Sequence, residues 1–227
     1  MPSAHDGYQE LTKTAYRSVK KARDYEARHT SKLTWAGFTT GRECRAVARL
    51  LGLCDLGQRD LILDIPCGTG ILADVLAPFP YRVVAADISR EMMDLAVRYK
   101  QDRNFAGFVQ ADIECPPHGD GTFGCVIVMG LMHRLPSTIR KRVLRAVSRL
   151  SRKYLIVSYS IDSPDQRLKR RLLGFVSPSH RFAPHPVNKR ELYGDFEELA
   201  LKVRETIHVA PLLSAEVMFL LEKETGA

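Results

Sequence analysis

No two cysteines of this chain stand in a C-x-x-C spacing, and the five that occur, Cys44, Cys54, Cys67, Cys115 and Cys125, are odd in number. Neither a zinc ribbon nor a disulfide framework is suggested, no metal site is expected, and a reducing, cytoplasmic setting is. Runs of about 18 apolar residues are also missing, so no segment is expected to cross a membrane. The opening MPSAHDGYQE has no basic start followed by an apolar core, which removes the case for a secretory signal. Internal repeats and low-complexity tracts are absent as well. Acid is scarce in one place: from Arg134 to Arg190, fifteen Lys and Arg face only Asp162 and Asp165. That block carries +13 in a chain of net charge +8, which leaves the rest at −5. Such a block either attracts phosphate, nucleic acid or an anionic lipid surface, or consists of solvated helix faces around a neutral fold.

What is present describes one globular core of 227 residues, 45% hydrophobic and 26% charged. Residues Leu11 to Arg28 place Leu11, Ala15, Val19 and Ala22 on one helical face. A second helix is expected from Thr40, where Thr40 and Glu43 have the T-x-x-E form of a capping box, with Cys44, Val47 and Leu51 inward and a stop near Gly52. From Leu61 onward the pattern becomes short apolar runs alternating with helices: LILDI, YRVVAAD, FAGFVQAD, GCVIVMG and KYLIVSYS. Uninterrupted Val, Ile and Leu runs mark strands covered on both faces, hence a parallel sheet with crossover helices. The helices fall at Gly70 to Pro78, Ser89 to Lys100 and Ser137 to Arg152, the last with Ile139, Val143, Val147 and Leu150 inward. A further helix starts with Ser163 as cap. The Pro-, Ser- and His-rich stretch GFVSPSHRFAPHPVN reads as a loop or lid. A last helix opens at Asn188 and buries Leu192, Phe196 and Leu199, and strands at about Lys202 to Val209 and Ser214 to Glu222 close the sheet. The expected architecture is a doubly wound, Rossmann-like α/β fold: a seven-stranded sheet, mostly parallel with an antiparallel last strand, and helices on both faces. Residues 1–55 form a helical cap, and residues 56–227 the main domain, with a lid insertion at about 161–188.

In such a sheet ligands sit at the carboxyl ends of the strands, by the topological switch point. Asp64 ends the first strand beside the turn of Gly68 and Gly70. A carboxylate there repels a pyrophosphate and suits an amino group or a positive charge. Asp87, 23 positions on, ends the second strand, where a carboxylate accepts hydrogen bonds from both ribose hydroxyls. Asp112 follows the third, within reach of an adenine amino group. Three acids at three successive strand ends describe a nucleoside with a cationic, amino-bearing tail. A nicotinamide dehydrogenase fits worse, because Gly68 and Gly70 are followed by Ala73, which leaves G-x-G-x-x-G incomplete.

On these residues the chain resembles the class I S-adenosylmethionine-dependent methyltransferases. LILDIPCGTG is similar to their motif I, AADISREMM to motif II, and VQAD and FGCVIVMGLMHRL to the motifs that follow, in order from Leu61 to Ser160. The sequence departs from the family pattern at Pro66, where a glycine is commoner, and at Gly124, where an aspartate is. The resemblance implies S-adenosylmethionine as cofactor. Asp64, Pro66, Cys67, Gly68 and Gly70 would hold its methionine end and Asp87 its ribose. Ile88 and Met92 would face the adenine, Asp112 and Ile113 would take its edge, and Met129 would complete the wall. Methyl transfer is an in-line displacement in which alignment and exclusion of water do much of the work. Where the acceptor needs a general base, His133 leads, followed by His180 and His185 on the lid and by Tyr159. The absence of an Asn/Asp-Pro-Pro-Tyr sequence after the fourth strand argues against the amino-group methyltransferases that use that clamp. The acceptor is expected to be a small molecule or a lipid- or glycan-linked one, of anionic character if the basic block serves it. Peripheral membrane contact is compatible with the sequence. An RNA methyltransferase, for which no RNA-binding module is visible, and a noncatalytic binding module are the alternatives.

Overall fold

In the computed structural model, residues 13–14, 17–101, 104–162, 185–211 and 213–224 are described. Seven strands form one sheet: β1 (Leu61–Asp64), β2 (Arg82–Asp87), β3 (Phe105–Gln110), β4 (Phe123–Val128), β5 (Ser151–Ser160), β6 (Leu201–His208) and β7 (Glu216–Lys223). Their order is β3-β2-β1-β4-β5-β7-β6. The first five pair in parallel, and β7 runs antiparallel to both β5 and β6. The order reverses between β1 and β4, so the switch point lies just beyond Asp64.

Successive residues of a strand face opposite sides of the sheet, and the core divides accordingly. Leu63, Val126, Val128, Leu155 and Val157 pack toward one face, Ile62, Cys125, Ile127 and Ile156 toward the other. The first face is covered by α5 (Ser137–Leu150) and α6 (Lys189–Glu198), the second largely by α2 (Trp35–Leu51) and the single turn α3 (Ala73–Leu76). Ile139, Val143, Val147 and Leu150 of α5 are all buried, as the helical spacing requires, and each contributes roughly 1.5–3 kcal/mol by leaving water. Asn188 caps α6 by accepting from the Arg190 N–H. The helix after β2 is shorter than its sequence span: α4 (Arg90–Leu95), capped by Ser89, gives way to a 3₁₀ turn at Val97–Gln101.

At the N-terminal end the structure corrects the sequence reading twice. Helix α1 (Val19–Thr30) starts after Ser18, and its inward face is Ala22 with the half-buried Tyr25, Glu26 and His29, whereas Val19 is 52% exposed. Helix α2 begins not at Thr40 but at Trp35, capped by Thr34, whose Oγ1 accepts from the Gly37 N–H at 3.0 Å. Thr40 and Glu43 therefore lie inside the helix and are buried. The helix expected after Ser163 and most of the lid, His180 included, lie outside the described residues.

Among the described residues, seven of the fifteen cations of the basic block are matched by acids. Arg140 pairs with Glu191, Lys141 with Asp195, Arg142 with Glu114, Arg145 with Glu198, Arg149 with Asp120, Arg152 with Asp60 and Lys153 with Asp55. Every one of these acids comes from the acidic remainder of the chain. The exposed pairs among them, such as Arg145–Glu198, add only ~0–1 kcal/mol each, but all seven reduce the local field that would draw a polyanion.

Candidate functional site

Where β1, β2 and β4 end, the chain leaves a cleft of about 1000 Å³, its open mouth included. Asp64, Pro66, Cys67 and Gly68 line it from the β1 turn, and Asp87, Ile88 and Met92 line it from the β2 side. Asp112 and Ile113 enter after β3, and Met129 enters after β4. The turn is tied down on both sides, since the Ile65 N–H donates to the Ile127 carbonyl at 3.0 Å and the Cys67 N–H to that of Ala86 at 2.8 Å. Gly70 does not line the cleft. Its φ is +77°, and a Cβ there would lie 3.0 Å from Cα of Ala96, so its glycine lets the turn seat against the end of α4.

Two of the carboxylates are deeply buried and differ in their partners. Asp87 accepts from the Gly68 N–H at 2.9 Å and from the Ser89 N–H at 2.8 Å, one bond to each oxygen. Burial raises its pKa, and these backbone donors oppose the rise. Asp64 accepts the Tyr99 hydroxyl on Oδ2 at 2.5 Å, while its Oδ1 is buried with no partner. Its carboxyl is pushed up to about 7 by burial, with the Tyr99 bond opposing and the charge of Asp87 adding. A buried acceptor without a donor, facing a cleft, fits a ligand that brings N–H groups and positive charge. Asp112 is bridged by Lys13, whose Nζ lies 2.6 Å from Oδ2 and 2.7 Å from Glu114. Cys67 is buried and its thiol is pushed well above the ordinary range, so it packs as a thiol rather than reacting as a thiolate.

Among the lining residues not foreseen from the sequence are three polar ones that reach in from elsewhere: Lys13 and Tyr25 from the N-terminal segment, and Arg134 from the 3₁₀ turn Met132–Arg134. The charge of Arg134 acts on two acids, the buried Glu43 and the half-buried Glu216. Glu43 has Oε1 without a partner, and its pKa is raised well above the usual range by burial and by Glu216, with Arg134 opposing. Glu216 is likewise raised by burial, with Arg134 opposing.

The residues expected to act as bases fare differently. His133 is not in the cleft lining; burial, followed by the charge of Arg134, pushes its pKa down to about 3. It therefore stays neutral, and its 3.7 Å approach to Glu216 is not an ion pair. His185 donates its backbone N–H to the His133 carbonyl at 3.1 Å and does not line the cleft either. Tyr159 is fully buried in the core, its ring edge-on to Phe196 and Phe219. Its hydroxyl is buried without a partner and away from the cleft. Tyr159→Phe is expected to leave turnover unchanged and to hold or raise the melting temperature, since the lost hydroxyl carries an uncompensated desolvation cost of ~1–3 kcal/mol. Turnover and a thermal melt check it.

Comparison with known proteins agrees with this geometry. Residues 62–153 match the model of a methyltransferase domain. Human glycine N-methyltransferase is 27% identical over 107 residues, covering 42% of this chain and 36% of that protein, so the chain spans about a third of that relative's length. Magnesium protoporphyrin IX methyltransferase (ChlM) from Synechocystis PCC 6803, solved with bound SAH, superposes with a TM-score of 0.76 at 15% identity, over 95% of this chain and 100% of that one. The PH0226 protein of Pyrococcus horikoshii superposes at 0.64 with 18% identity, over 89% of this chain and 99% of that one. At these identities the superpositions report the fold. With the motifs in order, the sheet reversing at β1 and β4, and the family model matched across that reversal, residues 62–153 form a methyltransferase domain on the class I, Rossmann-like fold.

Proposed function

We propose that the chain transfers the methyl group of S-adenosylmethionine to a small organic acid by direct in-line displacement. The observation that carries the cofactor assignment is the unpartnered, buried Oδ1 of Asp64 in the same cleft as Asp87. When bound, the cofactor supplies a sulfonium-activated methyl group. Asp64 receives the ammonium, Asp87 the two ribose hydroxyls, Ile88, Met92 and Ile113 the adenine faces, and Asp112 with Lys13 the adenine edge. Pro66, Cys67 and Gly68 shape the backbone around the methionine end, Gly70 holds that turn against α4, and Met129 bounds the reacting centre.

The acceptor reading rests on what the rest of the cleft offers. Arg134 contributes positive charge, whereas Lys13 is matched by Asp112 and Glu114, and among the described lining residues there is no histidine. A nucleophile that is already ionised in solution needs no base from the protein. A carboxylate meets both conditions, with Arg134 orienting the acceptor through guanidinium hydrogen bonds. The relatives named for glycine and for magnesium protoporphyrin IX are named for small molecules too. Polynucleotide acceptors are disfavoured by the paired cations of α5.

Incubating the protein with methyl-tritiated cofactor and fractionated native extract tests this reading. Label is expected in a small-molecule fraction and to be released as volatile methanol by alkali, as a methyl ester requires. Label in RNA, or label stable to alkali, contradicts it. Arg134→Gln is expected to lower kcat/KM by roughly 10–100-fold, the worth of a charged hydrogen bond. The cofactor-induced rise in melting temperature should be unchanged.

A further inference from the structure

The α1–α2 turn carries a feature that methyl transfer does not use. Leu33 is 98% exposed at its tip, and Trp35 and Phe38, in the first turn of α2, are 55% and 39% exposed with their rings 5.5 Å apart. The turn is held in shape rather than left loose. Thr34 Oγ1 donates to the Ser31 carbonyl and accepts from the Gly37 N–H, each at 3.0 Å. A Cβ on Gly37 would sit 1.9 Å from the Ser31 carbonyl oxygen, so only glycine lets the chain close this tightly. Arg28 and Lys32 are exposed next to the tip, and Lys20, Lys21 and Arg23 are exposed toward the other end of α1; among the described residues none of the five forms an ion pair. Asp24 is the one exposed acid of α1, and its half-buried neighbour Glu26 is engaged by Arg98 at 3.3 Å. The contrast with α5, where the cations are matched by acids from elsewhere in the chain, is a contrast between charge neutralised within the fold and charge left facing outward.

We propose that this turn docks the protein on an anionic lipid bilayer, with Leu33, Trp35 and Phe38 entering the interface and the flanking cations resting on the headgroups. A projecting apolar tip, an aromatic ring at its base and exposed Lys and Arg along the helix that leads to it complement a negatively charged interface, whereas a protein partner would have to supply a pocket for the tip. The inner face of the same helix gives Tyr25 to the cleft lining, so docking brings the cleft close to the surface. The proposal goes beyond methyl transfer and is tested without cofactor or acceptor.

Trp35 is the only tryptophan of the chain, so intrinsic fluorescence reads this turn alone. The full chain is mixed with vesicles of phosphatidylcholine containing about a quarter phosphatidylserine, with co-sedimentation and emission measured together. Binding with a blue shift is expected. It should weaken about tenfold or more on pure phosphatidylcholine, and about tenfold or more for Leu33→Asp, a substitution at a fully exposed position that spares the fold. The triple charge reversal Lys20→Glu, Lys21→Glu and Lys32→Glu should abolish binding at physiological salt. Absence of binding to anionic vesicles overturns the proposal. So does binding that Leu33→Asp leaves unchanged, or a Leu33-dependent dimer in light scattering, which would make a second copy the occupant.

Discussion

Replacing Asp87 by alanine is expected to weaken S-adenosylhomocysteine binding at least about a hundredfold and to remove most of the ligand-induced rise in melting temperature. Two hydrogen bonds to a carboxylate at ~1.5–3 kcal/mol each give a loss of that order. The same carboxylate also holds the Gly68 and Ser89 N–H groups, so the variant loses the pin between the β1 turn and the start of α4. Some loss of stability in the free protein is therefore expected, about 1–3 kcal/mol for each buried donor left without a partner. The diagnostic quantity is the ligand-induced shift measured from each variant's own baseline. A variant that melts earlier but shifts as far as the parent would remove Asp87 from the cofactor site.

The second large effect is on pH. Asp64, pushed up to about 7 by burial, keeps its proton in the folded protein where an ordinary aspartate, near 3.8, has lost it. Between those values the folded state holds one proton more than the unfolded chain, so this group makes stability fall as pH rises through the window. Ligand binding moves the opposite way. An ammonium prefers the carboxylate, so binding expels the proton below about pH 7 and affinity drops by up to about tenfold per pH unit as the solution is acidified. Above pH 7 the dependence should flatten. Titration calorimetry of S-adenosylhomocysteine in buffers of differing ionisation enthalpy reads the proton release directly. Asp64→Asn should abolish it, and Tyr99→Phe, which removes a bond favouring the charged form, should move the inflection to higher pH. An affinity independent of pH from 5.5 to 8 would detach Asp64 from the ammonium.

Much of the sheet could be read from the chain because β1 to β5 are continuous apolar runs ended by acids or glycines, a local pattern. The same applies to the β1 turn and to Asp87, whose positions follow from strand ends. Gly124, a departure from the family pattern, is not demanded by packing: the nearest atoms a Cβ would meet, Leu56 Cδ2 at 2.9 Å and Asp60 Oδ2 at 3.1 Å, end flexible side chains. The start of α2 was misplaced because Thr40 and Glu43 imitate a capping box, while Thr34, the actual cap, works through a turn shape that no short pattern encodes. Lys13 and Tyr25 were invisible for a different reason. The Lys13 contact with Asp112 joins residues 99 apart, and nothing near either one announces the other. Partners of the described part of the basic block are similarly distant, with Arg152 and Asp60 92 positions apart, so charge counted along the chain does not show which of these cations are matched. His133 looked like a base from its place after β4, but burial decides its protonation and burial is a tertiary property.

A crystal structure of the protein with S-adenosylhomocysteine tests the central claim most directly. The ribose hydroxyls are predicted on the Asp87 carboxylate, and the ammonium within hydrogen-bond distance of Asp64 Oδ1. A cleft that instead takes a phosphate-bearing coenzyme, or an adenosyl group lying away from both carboxylates, would contradict it.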